Sequence, residues 1–175
     1  MNLIEGWLPI PNPRDKNRTI LGDSRTHWCD YETNILLFTA NSYLRKDGDL
    51  VMGAGAARLV KENYHLVPQG IGRQITHLSE YNLKWYSIQG HQNTYPAFWL
   101  GAFQVKFSFN QPADLQLIKN SCSKLSSVAE RRPDHTFHLN FPGIGNGKLK
   151  FDHVSPIVAD LPNNVNLYVL PRRTQ

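Results

Sequence analysis

The chain has 175 residues, 41% of them apolar and 19% charged, which fits one ordinary globular domain with a real core. Its formal charge of +5 favours anionic ligands or partners, yet no run of Lys and Arg exceeds two residues, as at Arg131-Arg132 and Arg172-Arg173, so nucleic-acid binding is allowed and not demanded. No apolar run reaches the roughly 18 residues of a membrane-spanning helix. The N-terminus lacks a basic region followed by an apolar one, and two cysteines, Cys29 and Cys122, make no disulfide framework; a cytoplasmic protein without membrane partners is expected.

Residues 1–34 are rich in Pro, Asn, Asp and Arg, and Pro9, Pro11 and Pro13 exclude a regular helix or central strand; an irregular arm packed on a domain of residues 35–175 is expected. Ile35 to Ala40 is a short continuous apolar run, the pattern of a strand buried on both faces. Asn41-Ser42 ends it, and Lys46-Asp47-Gly48-Asp49 signals a turn. Met52-Gly53-Ala54-Gly55-Ala56-Ala57 then leads into a helix over Ala54–Tyr64, with Ala57, Val60 and Tyr64 on one face.

Trp85 to Ile88 reads as a strand. Phe103, Val105, Phe107 and Phe109 alternate with Gln104, Lys106 and Ser108, which predicts a strand with one apolar face and Lys106 on the other. After Pro112, Leu115, Ile118, Cys122, Leu125 and Val128 recur at helical spacing. Thr136 to Phe141 is the next strand and runs into Pro142-Gly143-Ile144-Gly145-Asn146-Gly147-Lys148. Val154, Ile157, Val158 and Leu161 mark a short helix stopped by Pro162, and Val165 to Leu170 is a last strand. Alternating strands and helices imply an α/β sandwich with a mostly parallel or mixed sheet, and in such sheets ligands bind beyond the strand ends.

The two glycine segments therefore suggest a clasp for a polyphosphate, with main-chain N–H groups as donors. The plainer reading, that the glycines only allow tight turns and close packing, has about even weight for short glycine motifs. Gly143-x-Gly145-x-Gly147-Lys148 is neither a dinucleotide-binding fingerprint nor a Walker loop, and Leu149 stands where Ser or Thr would meet magnesium. Lys106 is a candidate phosphate ligand or, if desolvated, a nucleophile; a solvated lysine is the commoner case. His27-x-Cys29 and His135-x-x-His138 are too sparse for a metal site. Trp28, Trp85, Tyr86 and Trp99 are candidate base-stacking groups, although aromatics at strand positions usually belong to cores.

Thr39-Ala40-Asn41-Ser42, Asp47-Gly48 and Val51 to Ala57, followed by Phe103 to Lys106 with Ala113 to Leu115, and then Pro142 to Phe151 with Val154 and Pro156, together resemble a macrodomain. The similar branch contains the terminal ADP-ribose protein glycohydrolase, the antitoxin macrodomain that removes ADP-ribose from DNA, and small phage and bacterial relatives. The resemblance covers roughly residues 35–170. It implies a three-layer α/β/α sandwich with a mixed central sheet, needing no cofactor and no metal, that binds ADP-ribose or ADP-ribosylated protein or nucleic acid, as a monomer.

Carried over by the resemblance, Asn41 would contact the distal ribose. Met52, Gly53, Ala54, Gly55 and Ala56 would wrap one side of the diphosphate. Gly143, Ile144, Gly145, Asn146, Gly147 and Lys148 would wrap the other, and Lys106 would act at the ribose C1″ in removal of the ADP-ribosyl group. Asp23 and Asp30 are candidates for reading adenine. Two departures stand out. The terminal glycohydrolase has an acid in its second loop, where this chain reads Lys148-Leu149-Lys150 with Asp152 the nearest carboxylate. The small phage and bacterial relatives usually carry a glycine at the position of Lys148 and Trp at that of Phe151. These leave two alternatives, a non-catalytic ADP-ribose reader and an ADP-ribose-1″-phosphate phosphatase that Lys148 would suit, besides the distinct reading of a basic nucleic-acid-binding protein.

Overall fold

The computed structural model describes residues 1–13, the main chain of 15–19, and residues 32–89 and 97–170. In chain order the elements are β1 (Asn2–Glu5), β2 (Pro11–Asn12), β3 (Asp15–Thr19), β4 (Asn34–Ala40), α1 (Gly55–Asn63), α2 (Val67–Gly72), β5 (Leu83–Ile88), β6 (Phe98–Gln104), α3 (Leu115–Glu130), β7 (Thr136–Asn140), α4 (Phe151–Val158) and β8 (Val165–Val169). Six strands form one mixed sheet in the order β1-β8-β7-β4-β6-β5, while β2 and β3 pair as a small separate ribbon. Every neighbouring pair in the large sheet is parallel except β5 with β6.

The run Ile35–Ala40 lies at the sheet centre, between β7 and β6, which is why both of its faces are apolar. Its alternate side chains enter two cores. Leu36, Phe38 and Ala40 join Val60, Val67 and Ile71 of α1 and α2 on one face. Ile35 and Leu37 join Ile118, Leu125, Val154 and Val158 of α3 and α4 on the other. The result is three layers, with helices on both faces of the sheet. No helix among the described residues is long and apolar enough to cross a membrane.

Several sequence expectations change. The strand over Phe103–Phe109 is displaced: β6 is Phe98–Gln104, and Lys106 lies beyond its end. Gln104, placed by alternation on a polar face, is buried because its carboxamide accepts from the N–H groups of Tyr81 and Asn82 and donates to Ser79 O. The irregular stretch 1–34 holds a sheet strand, since Asn2–Glu5 precedes the prolines and pairs with β8. The short helix α2 has no expectation behind it, because Pro68, Gly70 and Gly72 hide its pattern. Helix α3 begins as expected, with the Asp114 carboxylate accepting from Leu117 N at 2.9 Å, but it buries Leu117 and leaves Leu115 partly exposed.

Candidate functional site

All five mutually parallel strands point their carboxyl ends at one edge of the sheet, and a cleft of about 600 Å³ opens there. Each end supplies lining: Gly6 and Trp7 after β1, Tyr168 and Leu170 at β8, Asn140 and Phe141 at β7, Thr39 to Asn41 at β4, and Val105 and Lys106 past β6. The antiparallel β5 supplies none. The two glycine segments close the cleft from opposite sides. Gly53 to Ala57 lie on one wall and Gly143 to Lys148 on the other.

The first wall is the start of α1. Ala54 is its N-cap, no side chain caps the helix, and no acid stands in its first turn. Its first N–H groups and the positive end of its dipole thus meet the cleft without a side-chain counterpart. The second wall is a single 3-10 turn at Gly145–Gly147, also without a side-chain cap. The walls come close: a Cβ on Gly55, whose φ is +56°, would lie 3.3 Å from Asn146 Nδ2. Lys148 holds φ 60° and ψ 11°, a left-handed conformation in which glycine is at ease and lysine is not.

Lys106 crosses between the second wall and the turn after β6. Its ammonium donates to Phe109 O, Gln111 O and Asn146 O, each at 3.2 Å. Burial pushes its pKa down, and the neighbouring Lys148 charge adds to the effect. Asn41 is buried and its carboxamide is engaged with main chain, donating to Val51 O at 2.9 Å and accepting from Tyr43 N at 2.8 Å. One N–H of that amide remains for another partner. Met52 is set apart from its neighbours: its side chain is packed in the core beside α1 and does not line the cleft. Asp152 lies in the first turn of α4 and does not line it either.

The cleft is chemically polarised. Lys106 and Lys148 are the charged groups among its described lining residues, which include no carboxylate. Trp7, Leu8, Ile10, Leu59, Tyr168 and Leu170 make a contrasting apolar end. The Tyr168 ring is held from below. Its hydroxyl is 2.8 Å from His138 Nδ1, and His138 Nε2 is 2.8 Å from Asn34 Oδ1. An amide oxygen only accepts, so Nε2 carries the proton and Nδ1 accepts from the tyrosine. Burial pushes His138 down to about 4 and Tyr168 up to about 12, so both are neutral near pH 7.

Trp7, Tyr168 and Leu170 were beyond sequence reasoning, because only the β1–β8 pairing brings the two ends of the described chain together. Asp23, Asp30, His27, Cys29, Trp28, Arg172 and Arg173 lie outside the described residues. Trp85 and Tyr86 pack partly buried against the two cores, and Trp99 is exposed at the far end of β6. Among the described residues no three His, Cys, Asp or Glu side chains converge as metal ligands would.

No protein-family model and no curated protein matches the sequence. Solved structures do. The macrodomain of Thermus aquaticus DarG aligns over 97% of each chain with a TM-score of 0.60 at 18% identity. The macrodomain of Mycobacterium tuberculosis DarG aligns over 79% of this chain and 89% of its own, with a TM-score of 0.55 at 23% identity. The chain has a macrodomain fold. Thermosipho africanus DarTG, solved in complex with ADP-ribose, superimposes with a TM-score of 0.61 at 17% identity, over 81% of this chain. The chain spans 39% of that longer DarTG chain. Within this macrodomain fold the cleft lies at the carboxyl ends of the parallel strands, between the two glycine walls.

Proposed function

We propose that the cleft binds ADP-ribose and that the protein removes ADP-ribosyl groups from a macromolecule. The observation that carries the binding is the pair of glycine walls, each an uncapped turn of backbone facing the other across a cleft whose charged described lining is cationic. A diphosphate between them would gain N–H donors from both sides. The apolar end suits a flat base, and the end with Lys106 and Lys148 suits the distal ribose.

Lys106 supports the hydrolytic half of the reading. In the net reaction the bond between C1″ and the carrier breaks, water gives its hydroxyl to C1″, and its proton leaves with the carrier. A lysine made less basic by burial and a second cation is a better nucleophile at neutral pH than a free one, and it would hold C1″ covalently until water replaces it. The same amine must first leave three carbonyl partners.

The absence of a carboxylate among the described cleft residues favours a second reading, an ADP-ribose reader without turnover. Calorimetry with ADP-ribose tests the binding; no heat at millimolar ligand refutes it. Turnover of ADP-ribosylated protein and oligonucleotide separates the two readings. Hydrolysis that Lys106→Ala abolishes supports the enzyme. Tight binding without hydrolysis of either substrate supports the reader, and full turnover by Lys106→Ala refutes the role of Lys106.

A further inference from the structure

The large sheet divides where the two glycine walls leave it. Pairing of β4 with β7 stops at Leu37 and Leu139. Beyond that point β4 continues against β6 as far as Ala40, and β7 continues against β8 as far as Asn140. The chain then departs to opposite faces: β4 leads to α1, which packs in one core, and β7 leads to α4, which packs in the other. An open α/β sheet has its crevice at such a switch point. One side chain spans the gap. Asn140 Oδ1 accepts from Thr39 N at 3.0 Å, and Asn140 Nδ2 donates to Thr39 Oγ1 at 2.8 Å. A main-chain N–H can only donate, so the orientation of the carboxamide is fixed. The carboxamide oxygen and the hydroxyl oxygen thus already accept, while one N–H of Asn140 and the O–H of Thr39 remain to be given. Both residues are half-buried and line the cleft, at the foot of the second wall.

We propose that Thr39 and Asn140 are ligand-binding residues, a neutral pair of side-chain donors on the floor of the crevice that holds the phosphoryl oxygen facing the sheet. The inference rests on the ADP-ribose reading above and gives the phosphate site a third side, built from strand residues and not from glycine backbone. The two walls meet a diphosphate from its flanks. Its oxygens toward the sheet lose water as the ligand enters, and an anionic oxygen left without a replacement donor is more costly than a neutral one. The spare N–H and O–H supply that replacement. The described lining of the cleft offers no carboxylate to oppose it. A ribose hydroxyl suits the same floor less well, because it must also place its own proton. The bridge gives both donors a fixed position before the ligand arrives, so little ordering is left for binding to accomplish.

The test is calorimetry with ADP-ribose on four variants, with urea unfolding of each to show that it folds. Asn140→Asp keeps the bridge, since a carboxylate accepts from Thr39 N and from the Thr39 hydroxyl, but it removes both spare donors and sets a negative charge against the phosphate. Asn140→Leu breaks the bridge and introduces no charge. If the pair binds phosphate, Asn140→Asp is the weaker binder of the two. If the pair only ties β4 to β7, Asn140→Leu is the weaker and Asn140→Asp stays near the parent. Thr39→Val should lose about 10- to 150-fold in affinity, the range of one hydrogen bond to a charged group, and Thr39→Ser should retain it. An affinity for Asn140→Asp equal to or above that of Asn140→Leu, or a Thr39→Ser as weak as Thr39→Val, overturns the assignment. A parent protein that binds no ADP-ribose overturns instead the function on which the assignment rests.

Discussion

Gly143 and Gly145 sit two residues apart in the second wall, both at positive φ, +77° and +63°, but in different surroundings. A Cβ on Gly145 meets nothing within 4 Å. A Cβ on Gly143 would lie 2.7 Å from Ile118 Cδ1 and 2.9 Å from Leu149 Cδ1. Gly145→Ala therefore carries only the left-handed backbone cost, about 1–2 kcal/mol, less about 0.4–1 kcal/mol regained because alanine restricts the unfolded chain. Its net loss is about 1 kcal/mol. Gly143→Ala has the same backbone cost and an overpacking cost of about 1–3 kcal/mol as α3 and Leu149 are pushed aside. Urea unfolding followed by tryptophan fluorescence should place Gly143→Ala about 1–3 kcal/mol below Gly145→Ala. Because the nearest atom is a terminal methyl, Ile118→Val should cost less in the Gly143→Ala background than in the parent, a coupling that a double-mutant cycle reads directly. Equal losses for the two alanines, or additive behaviour with Ile118→Val, would refute the claim that this loop is fixed by its seat on α3.

Two further outcomes follow from the same walls and the polar chain behind them. His138 is held neutral with its pKa lowered to about 4, against 6.5 when unfolded, so between these values the unfolded chain binds more protons and stability falls as pH drops. The loss from this one group approaches about 3 kcal/mol by pH 4 and is absent above 6.5; His138→Gln should flatten the stability profile over that window, and an unchanged slope would count against it. Lys148→Gly releases a left-handed lysine at a gain of about 1–2 kcal/mol and gives back about 0.4–1 kcal/mol to the unfolded chain. A midpoint that stays level or rises by about 1–4 °C is expected, whereas a fall would show that the lysine side chain stabilises the loop.

The sequence was most legible where one periodicity ruled. The buried run Ile35–Ala40 could only be a central strand, and the helical spacing from Ile118 to Leu125 placed α3 against the sheet. It was least legible where a long-range partner decided. The alternation Phe103 to Phe109 mimics a strand, but pairing with β4 ends at Gln104, after which the chain turns to present Lys106 and Phe109. Gln104 is a polar residue whose burial depends on the loop at Ser79 to Asn82, and no local pattern announces such a partner. The glycine spacing marked both walls of the cleft. The third wall, Trp7 with Leu170, joins segments at opposite ends of the described chain and carries no local signal.

That third wall ties ligand binding to the outermost strand of the sheet. Among the described residues β1 is an edge element paired with β8 alone, and Gly6 N adds a last bond to Val169 O at 2.8 Å just before Trp7 turns into the cleft. Edge pairings lie toward the low-stability end of a folded domain. Opening of these four residues would withdraw Trp7 and leave the glycine walls, which follow inner strands, in place. Under the proposed ADP-ribose reading, a ligand that touches both Trp7 and the glycine walls would hold the edge shut, and one that reaches only the glycine walls would not.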